Sequence, residues 1–109
     1  MSNVSDAVGS APVFAALGDI TRLELVSRLS DGRQHSIVRL AHGLNLTRQG
    51  VTKHLHVLRD AGLVSCERIG RENRFTLRPA PITQARDYLT RASAQWDEAI
   101  ERLRASVED

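Results

Sequence analysis

The sequence lacks most of the features that mark an enzyme, a membrane protein or a disulfide-stapled domain. Cysteine occurs once, at Cys66, so no intramolecular disulfide framework can form. No apolar run approaches the roughly 20 residues needed to span a bilayer. The stretch Met1–Ala11 has neither a basic start nor an apolar centre, so it does not read as a signal peptide and a cytoplasmic location is expected. There is no phosphate-cradling glycine loop, and no Ser-His-Asp or Cys-His set follows from spacing, so no enzymatic role is expected. Internal repeats and low-complexity segments are also absent. The 109 residues leave no room for a second core. With 41% hydrophobic and 26% charged residues, the chain has the balance of one folded domain.

The net charge of +2 is unevenly spread. Residues 1–46 carry four basic and four acidic side chains and balance to zero. Residues 47–78 carry seven basic residues against Asp60, Glu67 and Glu72, a net +4, and residues 79–109 carry a net −2. A positive middle third is the electrostatic footprint of a nucleic-acid binder.

Residues 1–10 read as a flexible tail and 11–109 as the folded domain. Pro12 suits the first turn of a helix with Val13, Phe14 and Leu17 on its apolar face. Asp19 reads as the N-cap of a second helix, with Leu23, Val26 and Leu29 inward and Asp31-Gly32 as its stop. Ser36 caps a third, with Ile37, Leu40, Ala41 and Leu44 apolar. Asn45 is the expected left-handed residue of the short connection Asn45-Leu46-Thr47. Thr47 caps a fourth helix running to about Ala61, closed by a Schellman turn at Gly62-Leu63. Two short strands around residues 70–73 form a hairpin, with Phe75 and Leu77 on one face. Pro79 and Pro81 break the chain before a last helix from about Ile82 to Val107. The fold class is therefore mainly α with a small β-hairpin, in the order α-α-α-α-β-β-α.

Two short helices joined this tightly form a helix-turn-helix, whose second member enters the major groove of DNA. On a helical wheel with Val51 at zero, Leu55 and Leu58 fall at about 40° and 340°. Gln49, Thr52, Lys53 and His56 fall at about 160°, 100°, 200° and 140°, on the opposite face. Gln pairs bidentately with adenine, Lys donates to guanine or phosphate, and Thr bonds or touches a thymine methyl. Arg48 in the first turn suits a phosphate. His54, at about 300°, reads as a boundary residue, packed or bonded to backbone. Arg71 at the hairpin tip and Arg74 beside it make the hairpin a candidate DNA-contacting wing.

In the last helix, Ala85, Leu89, Ala92, Trp96, Ala99, Leu103 and Val107 recur near the heptad spacing of paired helices. So small a domain cannot cover this face alone, and a homodimer with Trp96 as anchor is the natural solution.

The run Phe14-Ala15-Ala16-Leu17-Gly18-Asp19-Ile20-Thr21-Arg22-Leu23 resembles the opening helix junction of the ArsR family of regulators. Val51-Thr52-Lys53-His54-Leu55-His56-Val57-Leu58-Arg59-Asp60-Ala61-Gly62-Leu63-Val64 resembles their recognition helix and its exit, and Gly70-Arg71 with Phe75 and Leu77 their wing. The resemblance covers roughly residues 12–107. It implies a dimeric winged helix-turn-helix repressor on a twofold-symmetric operator, acting on its own or neighbouring genes. It also implies an interface through the first and last helices, where Phe14, Leu89, Ala92, Trp96 and Leu103 are the candidates. The sequence departs from the family's metal sensors. Ile37-Val38-Arg39-Leu40-Ala41-His42 carries no paired cysteines, and the last helix has neither His nor Cys. His35 and His42 stand without a nearby Cys, and Cys66 reads as a small packing residue. No metal or cofactor is expected. A metal- or small-molecule-responsive sensor and a winged-helix protein-interaction module remain the alternatives.

Overall fold

Asp19 decides where the chain first turns. Its extended backbone (φ −144°, ψ 133°) ends one helix and caps the next. Oδ2 accepts the N–H of Thr21 at 2.9 Å and of Arg22 at 3.1 Å, satisfying two donors that the helix start leaves free. The computed structural model describes residues 3–108. Its helices are α1 (Asn3–Leu17), α2 (Ile20–Leu29), α3 (Ile37–Ala41), α4 (Arg48–Asp60) and α5 (Pro79–Glu108). Strands β1 (His35–Ser36), β2 (Val64–Ile69) and β3 (Glu72–Leu77) form an antiparallel sheet in the order β1-β3-β2.

The core is aliphatic apart from Phe75. Leu25 and Leu29 of α2, Leu40 of α3, Val51, Leu55 and Leu58 of α4, and Leu63, Val64 and Phe75 of the wing are all buried. Full burial is worth about 1.5–3 kcal/mol for each large side chain, so this cluster carries most of the stabilisation of the helical layer. The expected caps Ser36 and Thr47 accept the N–H of Arg39 at 3.3 Å and of Gly50 at 3.0 Å. The Schellman closure of α4 is present in full. Leu63 N–H donates to the Leu58 carbonyl, and Gly62 N–H to that of Arg59, both at 2.9 Å, with Gly62 at φ +81°.

Several expectations are corrected. Residues 3–10, read from the sequence as part of a tail over 1–10, are helical within α1, with Ala7 half-buried and Ser10 buried; residues 1 and 2 of that tail lie outside the described residues. Pro12 lies inside that helix, on the exposed side with Val8, where water can reach the carbonyl it leaves without a donor. Leu23 points outward, and Leu25 takes its place in the core. The connection between α3 and α4 spans 42–47, and Gly43, at φ +79°, makes its left-handed turn; Asn45 does not. An extra strand, β1, pairs His35 with Phe75 and Ser36 with Arg74. The hairpin turn is only Gly70-Arg71, with Gly70 alone at positive φ, as a type II′ turn requires. Pro79 and Pro81 sit in the first turn of α5, where the missing N–H costs nothing. Cys66 is exposed on the edge strand β2, where it pairs with Phe75, and does not pack in the core.

Gly62→Ala should lower stability by about 1–2 kcal/mol, because a Cβ strains the left-handed residue even though its nearest neighbour, Pro81 Cγ at 3.8 Å, leaves room for it. Thermal or urea unfolding checks this, and an unchanged midpoint would contradict it.

Candidate nucleic-acid interface

The face of α4 opposite the core is set by complete burial of Val51, Leu55 and Leu58. Gln49, Lys53 and His56 are exposed on that opposite face, and Arg48 is exposed in the first turn. Thr52 is half-buried, and its hydroxyl donates to the Arg48 carbonyl at 2.7 Å. The proton is thus committed to the helix, leaving the lone pairs and methyl for an outside partner.

The wing comes close to the start of this helix. Arg48, Thr52, Arg71, Glu72 and Asn73, with Ile37 and Val38 of α3, line one open cleft of about 220 Å³. Arg71 and Arg48 therefore flank the same depression, although they are far apart in sequence. Arg74 is not among the lining residues; it is half-buried on β3, with Nε 3.4 Å from Glu72 Oε2. Val38 and Asn73 were not foreseen there. The burial pattern of a five-residue helix carries too little periodicity to show which side faces the wing.

Behind the helix pair, α2 presents two arginines. Arg28 donates from Nη1 to the Leu40 carbonyl at 3.0 Å and to the His42 carbonyl, and from Nε to Glu24 at 3.0 Å. These bonds satisfy carbonyls at the C-terminus of α3, where a cation is also favoured by the helix dipole. Arg22 Nη1 lies 3.2 Å from His54 Nδ1 on α4, so His54, read as a boundary residue either packed or bonded to backbone, is half-buried there with a side chain as its polar partner. The Asp19 carboxyl is held below its ordinary range, first by the N–H of Arg22, with the Arg22 guanidinium, and His54 whenever its ring is protonated, adding attraction against partial desolvation.

The candidate dimer residues divide. Ala92 is buried within the chain, and Phe14 is half-buried beside Tyr88, ring centroids 6.1 Å apart. Leu89, Trp96 and Leu103 are exposed by 43%, 56% and 67% on α5, too much for an aliphatic and aromatic stripe that packs on its own chain.

Comparison with known proteins decides the family. A family model described as "Helix-turn-helix domain" matches residues 17–67. An ArsR-like transcriptional regulator from Rhodococcus sp. RHA1 has a similar structure, with a TM-score of 0.75 and 35% identity over 90% of this chain and 92% of that one. This chain belongs to the ArsR-like family of helix-turn-helix transcriptional regulators. A second ArsR family regulator of known structure has a TM-score of 0.74 and 27% identity, covering 82% of this chain and 91% of its own. The HTH-type transcriptional regulator YuzN of Bacillus subtilis (strain 168) is 40% identical over 65 residues, 54% of this chain and 71% of the relative. The winged helix-turn-helix of this regulator is thus a DNA-binding unit. No helix among its described residues is long and apolar enough to cross a membrane.

Because the folded state lowers the pKa of Asp19, the carboxylate adds stability above its ordinary value of 3.8, and that stability is lost as pH falls through the lower folded value. Asp19→Asn keeps a capping oxygen but cannot titrate. The variant should lose less stability than the parent between pH 5 and about pH 2, with Asp31 accounting for part of the remaining slope. Equal acid slopes in thermal melts would contradict this.

Proposed function

We propose that this regulator acts in the cytoplasm as a homodimeric repressor that reads a twofold-symmetric operator with α4 in the major groove. The observation that carries the reading is the outward face of α4. Gln49, Lys53 and His56 stand exposed directly opposite the fully buried Val51, Leu55 and Leu58, beside a cleft that also holds Arg48 and Arg71. Gln49 and His56 address base edges, Thr52 presents its methyl and lone pairs, and Lys53 donates to guanine or phosphate. Arg48, Arg71 and Arg74 hold the phosphate backbone on either side. Six of the seven basic side chains of residues 47–78 fall on α4 and the hairpin, the elements that would meet DNA. No chemical step is assigned to the chain in this role.

The exposed stripe of α5 supports the dimer. Leu89, Trp96 and Leu103, with Ile100, leave an apolar row beside the open groove of about 500 Å³ lined by Phe14, Leu17 and Ile82. A second copy covers this row and places two α4 helices about one DNA turn apart.

The probe for the reading is a duplex selected by the protein from a randomised pool, compared with its scrambled version by fluorescence anisotropy at two salt concentrations. Lys53→Ala and Arg71→Ala should weaken binding to both duplexes and flatten the salt dependence. Gln49→Ala and His56→Ala should relax preference at particular base pairs, at about 1–3 kcal/mol each. Parent-like binding by all four variants would contradict the assignment of this face.

Trp96→Glu buries a charge in the proposed interface and should give monomers with poor affinity for the selected duplex. Light scattering checks the mass, and a variant that remains dimeric would refute the interface.

A further inference from the structure

Arg22 stands where three helices meet. It lies in the first turn of α2, yet its guanidinium bonds to groups outside that helix. Nε donates to the Ala16 carbonyl in the last turn of α1, and Nη1 donates to His54 Nδ1 on α4 at 3.2 Å. Guanidinium has no acceptor, so Nδ1 of His54 accepts and the ring proton sits on Nε2. Asp19 Oδ2 lies 3.8 Å from the same Nδ1, and the His54 side chain is three-quarters shielded from solvent, at 25% exposure. A hydrogen-bonded chain therefore runs from the backbone of α1, through Arg22, into the middle of α4.

The core alone does not supply what this chain supplies. Aliphatic packing is non-directional, so Val51, Leu55 and Leu58 hold α4 down more firmly than they hold it against rotation. A rotation of about 10° carries a side-chain tip about 6 Å from the helix axis through about 1 Å. That is comparable with the whole range over which a hydrogen bond to a base edge keeps its strength. His54 sits at the margin of the buried stripe, next to Lys53, where a directional bond resists such rotation most directly.

We propose that Arg22 is a positioning residue for DNA reading: through His54 it fixes the rotational setting of α4 and ties that setting to the end of α1. This rests on the reading of α4 as the DNA-contacting helix. Arg22 then governs discrimination between sequences rather than the electrostatic attraction to any duplex. Because α1 packs on α5, the same link makes the setting of α4 sensitive to how the two terminal helices are held.

The test measures the ratio of affinities for the selected and scrambled duplexes, at a temperature where circular dichroism shows every variant folded. Arg22→Ala and His54→Leu should each lower that ratio about tenfold, the equivalent of one lost charge-assisted hydrogen bond, with the salt slope unchanged. The double variant should fall no further, because both changes break one link. His54→Asn, whose Oδ1 takes the place of Nδ1, should keep the parent ratio. Leu25→Val, a core change that lowers thermal stability without touching the link, should keep it too. A parent-like ratio in Arg22→Ala, a reduced salt slope that marks a direct phosphate contact, or an equal fall in Leu25→Val would overturn the inference. Failure of the parent itself to enrich any duplex would instead overturn the DNA reading on which it rests.

Discussion

The burial of one face of α4 is the constraint on which the other features depend. Val51, Leu55 and Leu58 are fully inaccessible, enclosed with Leu25 and Leu29 of α2, Leu40 of α3, and Leu63 and Phe75 of the wing. Each large side chain contributes about 1.5–3 kcal/mol, comparable with a sizeable part of the net stability of a small domain. Burial of that cluster decides which face of α4 turns outward, so Gln49, Lys53 and His56 are held toward solvent by the energetics of the opposite side, within the finer rotation left to directional bonds. The same cluster positions the wing, because the Schellman turn at Gly62 delivers Leu63 and Val64 straight from the helix into the core and starts β2 there. Pairing of β1 with β3 then ties the entry of α3 to the wing, so the helix pair and the hairpin share one frame.

Helix α5 obeys a different logic. Thirty residues, about 45 Å of helix, make up much of the length of a chain whose extents, α5 included, are 67 × 31 × 21 Å. The chain's own residues cover Ala85 and Ala92, where α1 lies against it, and leave Leu89, Trp96, Ile100 and Leu103 open. A single domain of this size buries only a modest share of its surface, so an uncovered apolar row along its longest element favours association. Twofold association through that row matches a twofold arrangement of recognition helices, which is why the proposed dimer and the proposed operator symmetry stand or fall together.

Much of this was legible in the sequence, because the signals were local. Asp19, Ser36 and Thr47 cap the helices they were expected to cap, and Gly62-Leu63 closes α4 as its residue types require. The apolar period of α4 located its buried face to the residue. What was missed depended on contacts between distant segments. The two residues of β1 make a strand only because β3 lies beside them. Residues 3–10 are helical, and those of residues 7–10 that are shielded from solvent, Ala7 and Ser10, are small and give no hydrophobic signal. Gly43, not Asn45, carries the turn, a choice between neighbours that depends on how Leu44 reaches the core. The cleft joining Arg48 to Arg71 and the link from Arg22 to His54 cross 23 and 32 positions of sequence, beyond the reach of periodicity or capping rules.

The central claim is that two symmetry-related α4 helices read the major groove, and methylation protection on the selected duplex tests it most directly. Guanine N7 lies in the major groove, so the account predicts two clusters of protected guanines, related by twofold symmetry, on one face of the duplex and about one helical turn or a multiple of it apart. A single unpaired cluster, or protection confined to the minor-groove edges of the bases, would contradict it.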